Sequence, residues 1–444
     1  MVKRNRRLLR GTAVLCVLAL GAAACGSADD EQASEGSPAD VEAALKKGGQ
    51  LTVWAWEPTL KQVVADFEKK YPKVDVELVN AGTADDQYTA LQNAVSAGDG
   101  VPDVAQIEYY ALGQFAMSKS VADLAPYGAD KLEDAYSPGP WSAVTANGGV
   151  HGLPMDSGPM ALFYNKKVFD KHGIEVPETW DAYVDAAREL KKADPNVRIT
   201  ADTGEAGFLT SLVWQAGGRP YTVDGTDVRI DFSDEGSKAV TATWQKLLDE
   251  DLLAPVKGWT DEWYKGLADG SIATLAAGAW MPANFESGVK GAAGDWRAAP
   301  LPQWEKGNTA SAENGGSSLT VPAASGNKAL AYAFTEYANA GDGVRARLAE
   351  GAFPATTEDL TSKEFLATEF DYFGGQKANE VFAESARNVA DDWSYLPYQV
   401  YANSVFNDTV GKSYVSRQRL ATGLEAWQRK SAEYGNDQGF SVNK

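Results

Sequence analysis

Leu51-Thr52-Val53-Trp54-Ala55-Trp56 is the stretch from which the fold can be read. Its β-branched and aromatic residues suit a strand. Leu60, Val63, Val64 and Phe67 follow at helical spacing, with Tyr71 one turn on, and Pro72 ends that helix. Val74, Val76 and Leu78 then alternate with Asp75 and Glu77, which predicts a second strand. A further helix over Tyr88 to Ala97 leads through Gly98-Asp99-Gly100-Val101-Pro102-Asp103 to a third strand near Val104 to Ile107. Strand, helix and strand in alternation imply a parallel α/β sheet with right-handed crossovers.

The same rhythm recurs downstream. Thr179 is placed to cap a helix with the apolar stripe Trp180, Tyr183, Val184, Ala187 and Leu190, and Asp181 in its first turn suits the helix dipole. Trp244, Leu247 and Leu248 mark another helix. Trp259 and Trp263, at i and i+4, read as one buried helical face. From Lys328 onward the pattern is mostly helical. With no second polar linker, two domains are expected between which the chain crosses more than once.

The N-terminus has a different character. Lys3, Arg4, Arg6, Arg7 and Arg10 precede an apolar run from Thr12 to Ala24, too short to span a bilayer. This is the pattern of a secretory signal peptide. Ala22-Ala23-Ala24-Cys25 resembles a bacterial lipobox, although the usual Leu three places before the Cys is here Ala22 and the nearest Leu is Leu20. The resemblance implies that Cys25 is lipidated, anchoring the exported chain to the outer face of the cytoplasmic membrane. Arg6-Arg7 before Leu8-Leu9 also resembles a twin-arginine signal, which bears only on the export route. Gly26 to Gly48, rich in small and charged residues without an aromatic, reads as a flexible tether.

Composition narrows the function. Removing residues 1–24 takes five basic residues and no acidic one, moving the formal charge from −20 to −25. Such a surface argues against nucleic acid or anionic lipid headgroups as partners. Cys16 leaves with the signal, so Cys25 remains alone, and neither an internal disulfide nor a Cys metal site is expected. His151 and His172 have no metal-ligand spacing and offer little to a His-based catalytic arrangement. Neither a cofactor nor a metal is expected. The 13 Trp residues are many, and several sit among glycines, where a purely core role is harder to argue.

Several blocks together resemble the extracellular solute-binding proteins of ABC sugar importers, the group that includes maltose-binding protein. They are Trp54-Ala55-Trp56-Glu57, Ala97 to Val104, Gly152-Leu153-Pro154-Met155-Asp156, Leu162 to Lys166, Pro177-Glu178-Thr179-Trp180 and Asn314-Gly315-Gly316-Ser317. The resemblance covers about residues 49–432, with the blocks in the family's order. It implies two α/β lobes of the periplasmic-binding-protein type II fold, joined by a hinge, with sugar bound in the cleft between them. Residues 1–24 are then the signal peptide and 25–48 the lipidated Cys and tether. Residues 49–158 with about 318–375 form one lobe, and 159–317 with about 376–444 the other. The implied partners are an oligosaccharide and the transmembrane subunits of an ABC permease, with the protein acting as a monomer.

A pyranose has apolar C–H faces and a rim of hydroxyls, so its site needs indole or phenol faces and several fixed polar partners. Open α/β sheets bind ligands beyond the carboxyl ends of their strands. Trp56 and Glu57 end the first strand and Glu108 and Tyr109 the third, and the run Gln106-Ile107-Glu108-Tyr109 resembles the family's sugar-contacting turn. Asp156 lies between Pro154 and Gly158, on what the resemblance implies is the run into the first hinge crossing; a turn-capping Asp is the alternative. Trp214 precedes a Gly-rich turn, and Trp280 follows an Ala-rich strand candidate, flanked by small residues. Asn314, Gly315 and Gly316 offer backbone amides at the start of a strand. Trp393 and Tyr398 fall where the family supplies a further aromatic wall. A secreted glycoside hydrolase is the rival class. It would need two carboxylates flanking a scissile bond, and Glu57, Glu108 and Asp156 are its candidates.

Overall fold

The computed structural model describes residues 36–146, 148–416 and 418–443. The signal segment and Cys25 lie outside these residues. From Gly36 to Lys444 the chain clusters into one compact unit.

Residues 25–35 of the expected tether lie outside the described residues, and the rest of it is corrected by helix α1 (Pro38–Lys47). Ser37 caps it by accepting from the Asp40 N–H, Pro38 occupies its first turn, and Lys46 and Lys47 sit at its negative end. Val41 is buried against the first core, so the folded body begins about ten residues before the first strand.

Strands β1 (Gly49–Trp54), β2 (Val74–Val79) and β3 (Val104–Glu108) pair in parallel in the order β2-β1-β3. Helices α2 (Leu60–Lys70) and α3 (Asp85–Ala97) supply the crossovers. Leu51, Val53 and Ala55 are fully buried, while Trp54 and Trp56, on the opposite face, are partly exposed, as strand alternation requires. The Gly98 to Asp103 turn is held by Asp103, whose backbone N–H donates to Thr52 O and whose carboxylate accepts from the Thr52 N–H. Beyond β3 the sheet continues with Ser317–Thr320 and then Leu153–Pro154, both antiparallel.

A second sheet centres on Met160–Asn165, flanked by Thr274–Gly278 and Trp296–Ala299. One face packs on the helix Trp180–Ala193, capped by Thr179 and burying the predicted stripe. The other face presents Phe163 to Phe285, Phe373 and Phe382.

Two segments therefore pass between the sheets, and they pair with each other. Pro159 bridges Glu313, and the Asn314 N–H donates to Gly158 O at 2.8 Å. A third passage follows the helix Asp342–Ala349. The expected boundary near residue 375 is too late: Phe353, Phe365, Tyr372 and Phe373 pack with Phe163 in the second lobe. Ala355 still belongs to the first core, so the chain changes lobes around residues 349–357.

Candidate functional site

The carboxyl ends of β1 and β3 are tied together by Gln106, a buried polar residue of β3 whose fastening role the sequence did not reveal. Its Oε1 accepts from the backbone N–H of both Trp56 and Glu57, each at 3.1 Å, and its Nε2 donates to Ser317 Oγ at 3.2 Å. These bonds fix where Trp56 and Glu57 leave the sheet. Trp56 stays partly exposed, with its edge against Tyr88 at 6.2 Å. Glu57 Oε1 accepts from the Thr59 N–H. The Tyr88 hydroxyl donates to Glu108 Oε2 and accepts from the Glu108 N–H, both at 3.0 Å. Enclosure pushes the Glu108 carboxyl up to about 7, against the opposing pull of hydrogen bonds from Tyr88 and Tyr110.

Tyr109, at the start of helix α4 (Tyr109–Met117), is buried rather than open. Its backbone N–H donates to Gly316 O and its hydroxyl to Asp156 O at 2.6 Å, so it clamps both hinge passages. Gly316 has φ +100°, and a Cβ there would lie 2.5 Å from the Tyr109 ring. Asp156 Oδ1 accepts from the Ser317 N–H at 2.6 Å. Burial pushes the Asp156 carboxyl up to about 6, while the buried Arg347 guanidinium, which donates to Met155 O, holds it down. Glu313, also missed in the sequence, is 4% exposed and accepts from the Ser157 hydroxyl and the Gly158 N–H. Its carboxyl is pushed up to about 7 by burial.

On the second lobe, Trp280 donates its indole N–H to Asn314 O at 2.6 Å. A Cβ on Gly278 would collide with that nitrogen and with Asn314 O, and one on Gly315 would lie 3.0 Å from the nitrogen. The two glycines thus admit the indole against the second crossing. Asn314 Nδ2 donates to Ser211 Oγ, and that hydroxyl donates to Glu313 O. Ser211 lies on the helix Ala206–Gln215, which also carries Trp214. Trp214 is buried, donates to Ala390 O and stacks on Trp393 at 5.0 Å and 5°. It supports Trp393, which is partly exposed. Tyr395, two residues on, is half-buried with its phenol held neutral by burial and by the charges of Glu313 and Glu108.

The crossings therefore bring together Trp56, Glu57, Glu108, Tyr109, Asp156, Trp280, Asn314, Gly315 and Gly316. The Trp214–Trp393 pair adjoins them through Ser211 and Tyr395. Tyr398 does not join. It is buried in the second core between Tyr434 and Phe440, with its hydroxyl against Gly435. Tyr110, next to Tyr109, and Tyr395, between Trp393 and Tyr398, are further aromatic residues beside Glu108 that the sequence reading did not assign. Trp259 is not core, as its spacing to Trp263 suggested: it is 50% exposed and precedes the helix Asp261–Asp269. Two concavities, at Lys166, Lys171 and Arg297 and at Phe232, Gln245 and Gln428, involve none of these residues. Among the described residues, no three His, Cys, Asp or Glu side chains are grouped to hold a metal ion, and no helix is long and apolar enough to cross a membrane.

Half-exposed indole faces, carboxylates at strand ends and paired chain crossings define a two-lobe binding protein of the periplasmic type. Residues 55–342 match the model of the bacterial extracellular solute-binding protein family, and the chain belongs to that family. Among solved structures, it is similar to an ABC transporter associated binding protein from B. animalis subsp. lactis Bl-04 in complex with beta-1,6-galactobiose. That likeness has 45% identity and a TM-score of 0.82, covering 89% of this chain and 99% of the other. The galacto-N-biose-/lacto-N-biose I-binding protein of Bifidobacterium longum, in complex with lacto-N-biose, is 27% identical with a TM-score of 0.78, covering 89% and 99%. A lactose-binding protein of Rhizobium radiobacter is 27% identical over 76% of this chain and 82% of its own length.

Proposed function

We propose that the protein captures a short oligosaccharide outside the cytoplasmic membrane and presents it to the transmembrane subunits of an ABC permease. The observation that carries this reading is the convergence of Trp56, Trp280 and Trp393 with Glu57 and Glu108 at the chain crossings. Indole faces take the C–H faces of a sugar, and fixed carboxylates and amides take its hydroxyls. Movement about the paired crossings closes the lobes over the ligand. The 45% identical neighbour holds beta-1,6-galactobiose, so a β-linked galactose disaccharide is the first ligand to test.

The sugar leaves unchanged. Glu57, Glu108, Asp156 and Glu313 all accept internal hydrogen bonds, three of them from backbone N–H groups, so each is tied to the scaffold. Cys25 carries the lipid that keeps the protein at the membrane, and one copy suffices for binding.

Calorimetry with β-1,6-galactobiose, followed by chromatography of the recovered sugar, tests this. Saturable one-to-one heat with intact disaccharide is expected. Release of galactose would replace the reading by a hydrolase. Absence of heat with every member of a glycan panel would overturn it.

A further inference from the structure

Trp259 is the one aromatic side chain among the described residues that stands half in solvent, 50% exposed. It also has φ +67°, a left-handed conformation that is a true outlier for a bulky residue. Such strain persists only where the surroundings impose it. Here Thr260 imposes it: its hydroxyl donates to Lys257 O at 2.8 Å and accepts from the Trp263 N–H, locking the turn ahead of the helix Asp261–Asp269.

The Trp259 ring rests on Trp263 at 5.2 Å and lies 5.8 Å from Trp280, tilted by 32°. Trp280 is in turn pinned to Asn314 O of the second crossing. An aromatic path therefore runs from the hinge backbone through Trp280 to Trp259 and out to solvent. Trp280 has spent its indole N–H on Asn314, so only its ring surface is free for a ligand. The Trp259 indole N–H makes no hydrogen bond among the described residues. A sugar ring on Trp259 would gain both a stacking face and a donor. The separation of the two indoles is of the order of one sugar residue.

We propose that Trp259 is a second stacking platform, one sugar ring outward from Trp280, through which the protein discriminates oligosaccharides by length. This rests on the oligosaccharide reading of the site and deepens it. Burial of Trp263 in the core beneath makes the platform rigid, so little ordering accompanies binding.

Calorimetric affinities for galactose, β-1,6-galactobiose and β-1,6-galactotriose, with the wild-type protein and Trp259→Ala, test it. The variant should bind galactose as the wild type does and lose about tenfold for the two longer sugars, or about 1.4 kcal/mol. Trp259→Gly should show the same loss with a higher unfolding midpoint than Trp259→Ala, because glycine accepts the left-handed turn. That separates loss of the platform from loss of the fold. Equal losses for all three sugars, or none, would overturn the platform and leave the sugar reading intact. If the wild-type protein binds none of the three, the galactoside reading fails and the platform with it.

Discussion

Glu313 should make the protein more stable in mild acid than in mild alkali. Its carboxyl is almost fully buried in the second crossing and is pushed from the ordinary 4.5 up to about 7, chiefly by burial, with the hydrogen bonds from Ser157 and Gly158 pulling it back and the Asp156 charge adding to the rise. A group that holds its proton more tightly folded than unfolded contributes stability that is fully present below the unfolded value. That stability is lost as the pH rises through the folded one. At about 1.4 kcal/mol for each pH unit, the interval amounts to about 3 kcal/mol. Glu108 and Asp156, pushed up to about 7 and about 6, act in the same direction but are more exposed and count for less.

The perturbation is Glu313→Gln. A carboxamide oxygen can still accept from the Gly158 N–H, and the amide can donate to Ser157 Oγ, so the crossing keeps its pairing. The variant has no proton to lose. Urea unfolding followed by tryptophan fluorescence should show wild-type stability falling between about pH 5 and about pH 8. The fall in the variant should be smaller by up to about 3 kcal/mol. Glu108 and Asp156 leave it a residual slope. Parallel curves for the two proteins would mean that native Glu313 is already ionised at neutral pH, and the reasoning from its burial would be wrong.

Four other outcomes are expected. Gly316→Ala places a Cβ 2.5 Å from the Tyr109 ring at φ +100°, so it should cost about 2 kcal/mol or more; an unchanged urea midpoint would contradict the clamp. Tyr398→Phe removes a buried hydroxyl without a hydrogen-bond partner and should be neutral or stabilising, by up to about 1 kcal/mol, with sugar affinity unchanged. A loss of affinity would move Tyr398 back into the site. Trp280→Ala should weaken sugar binding about 30-fold, read by calorimetry, whereas a lower melting point with normal affinity would assign it to the core. Cys25→Ser should release the protein into the medium with binding intact; retention in the membrane fraction would refute lipidation.

What the sequence disclosed depended on whether the cause was local. Strands β1 and β2 were legible because their buried and exposed residues alternate, β3 because it follows the Gly98 to Asp103 turn in the strand-helix-strand order, and the helix at Trp180 because Thr179 both caps it and precedes an apolar stripe. Two misreadings had local remedies. Ser37-Pro38 ahead of ten helix-compatible residues ending in Lys46-Lys47-Gly48 is a capped helix, which low-complexity composition disguised as a tether. Thr260 followed by Asp261 and Glu262 is an N-terminal cap that excludes Trp259 from the helix, so its spacing to Trp263 was not helical spacing. The fate of Tyr398 and the Phe353 to Phe373 segment had no local cause. Each is decided by distant partners: the helix Leu420–Asp437 and its C-terminal flank for one, Phe163 and Phe382 for the other.

The candidate site divides along the same line. Its aromatic faces announce themselves in sequence because a large side chain among glycines is conspicuous, as at Gly278-Ala279-Trp280. Its fastenings do not. Gln106, Glu313 and Arg347 are buried polar groups whose worth lies wholly in the bonds they make. Sequence distance separates the partners: Gln106 reaches Ser317, Glu313 reaches Ser157, and Arg347 reaches Met155. All three sets of bonds converge on the stretch from Met155 to Gly158 and the facing stretch from Glu313 to Ser317. The chain thus concentrates its buried ionisable groups where the lobes join, and sets its open indoles on either side. On the proposed reading, a ligand held by those indoles would act on the same few backbone bonds that Glu313, Asp156 and Tyr109 hold, so binding and lobe movement would share one set of contacts.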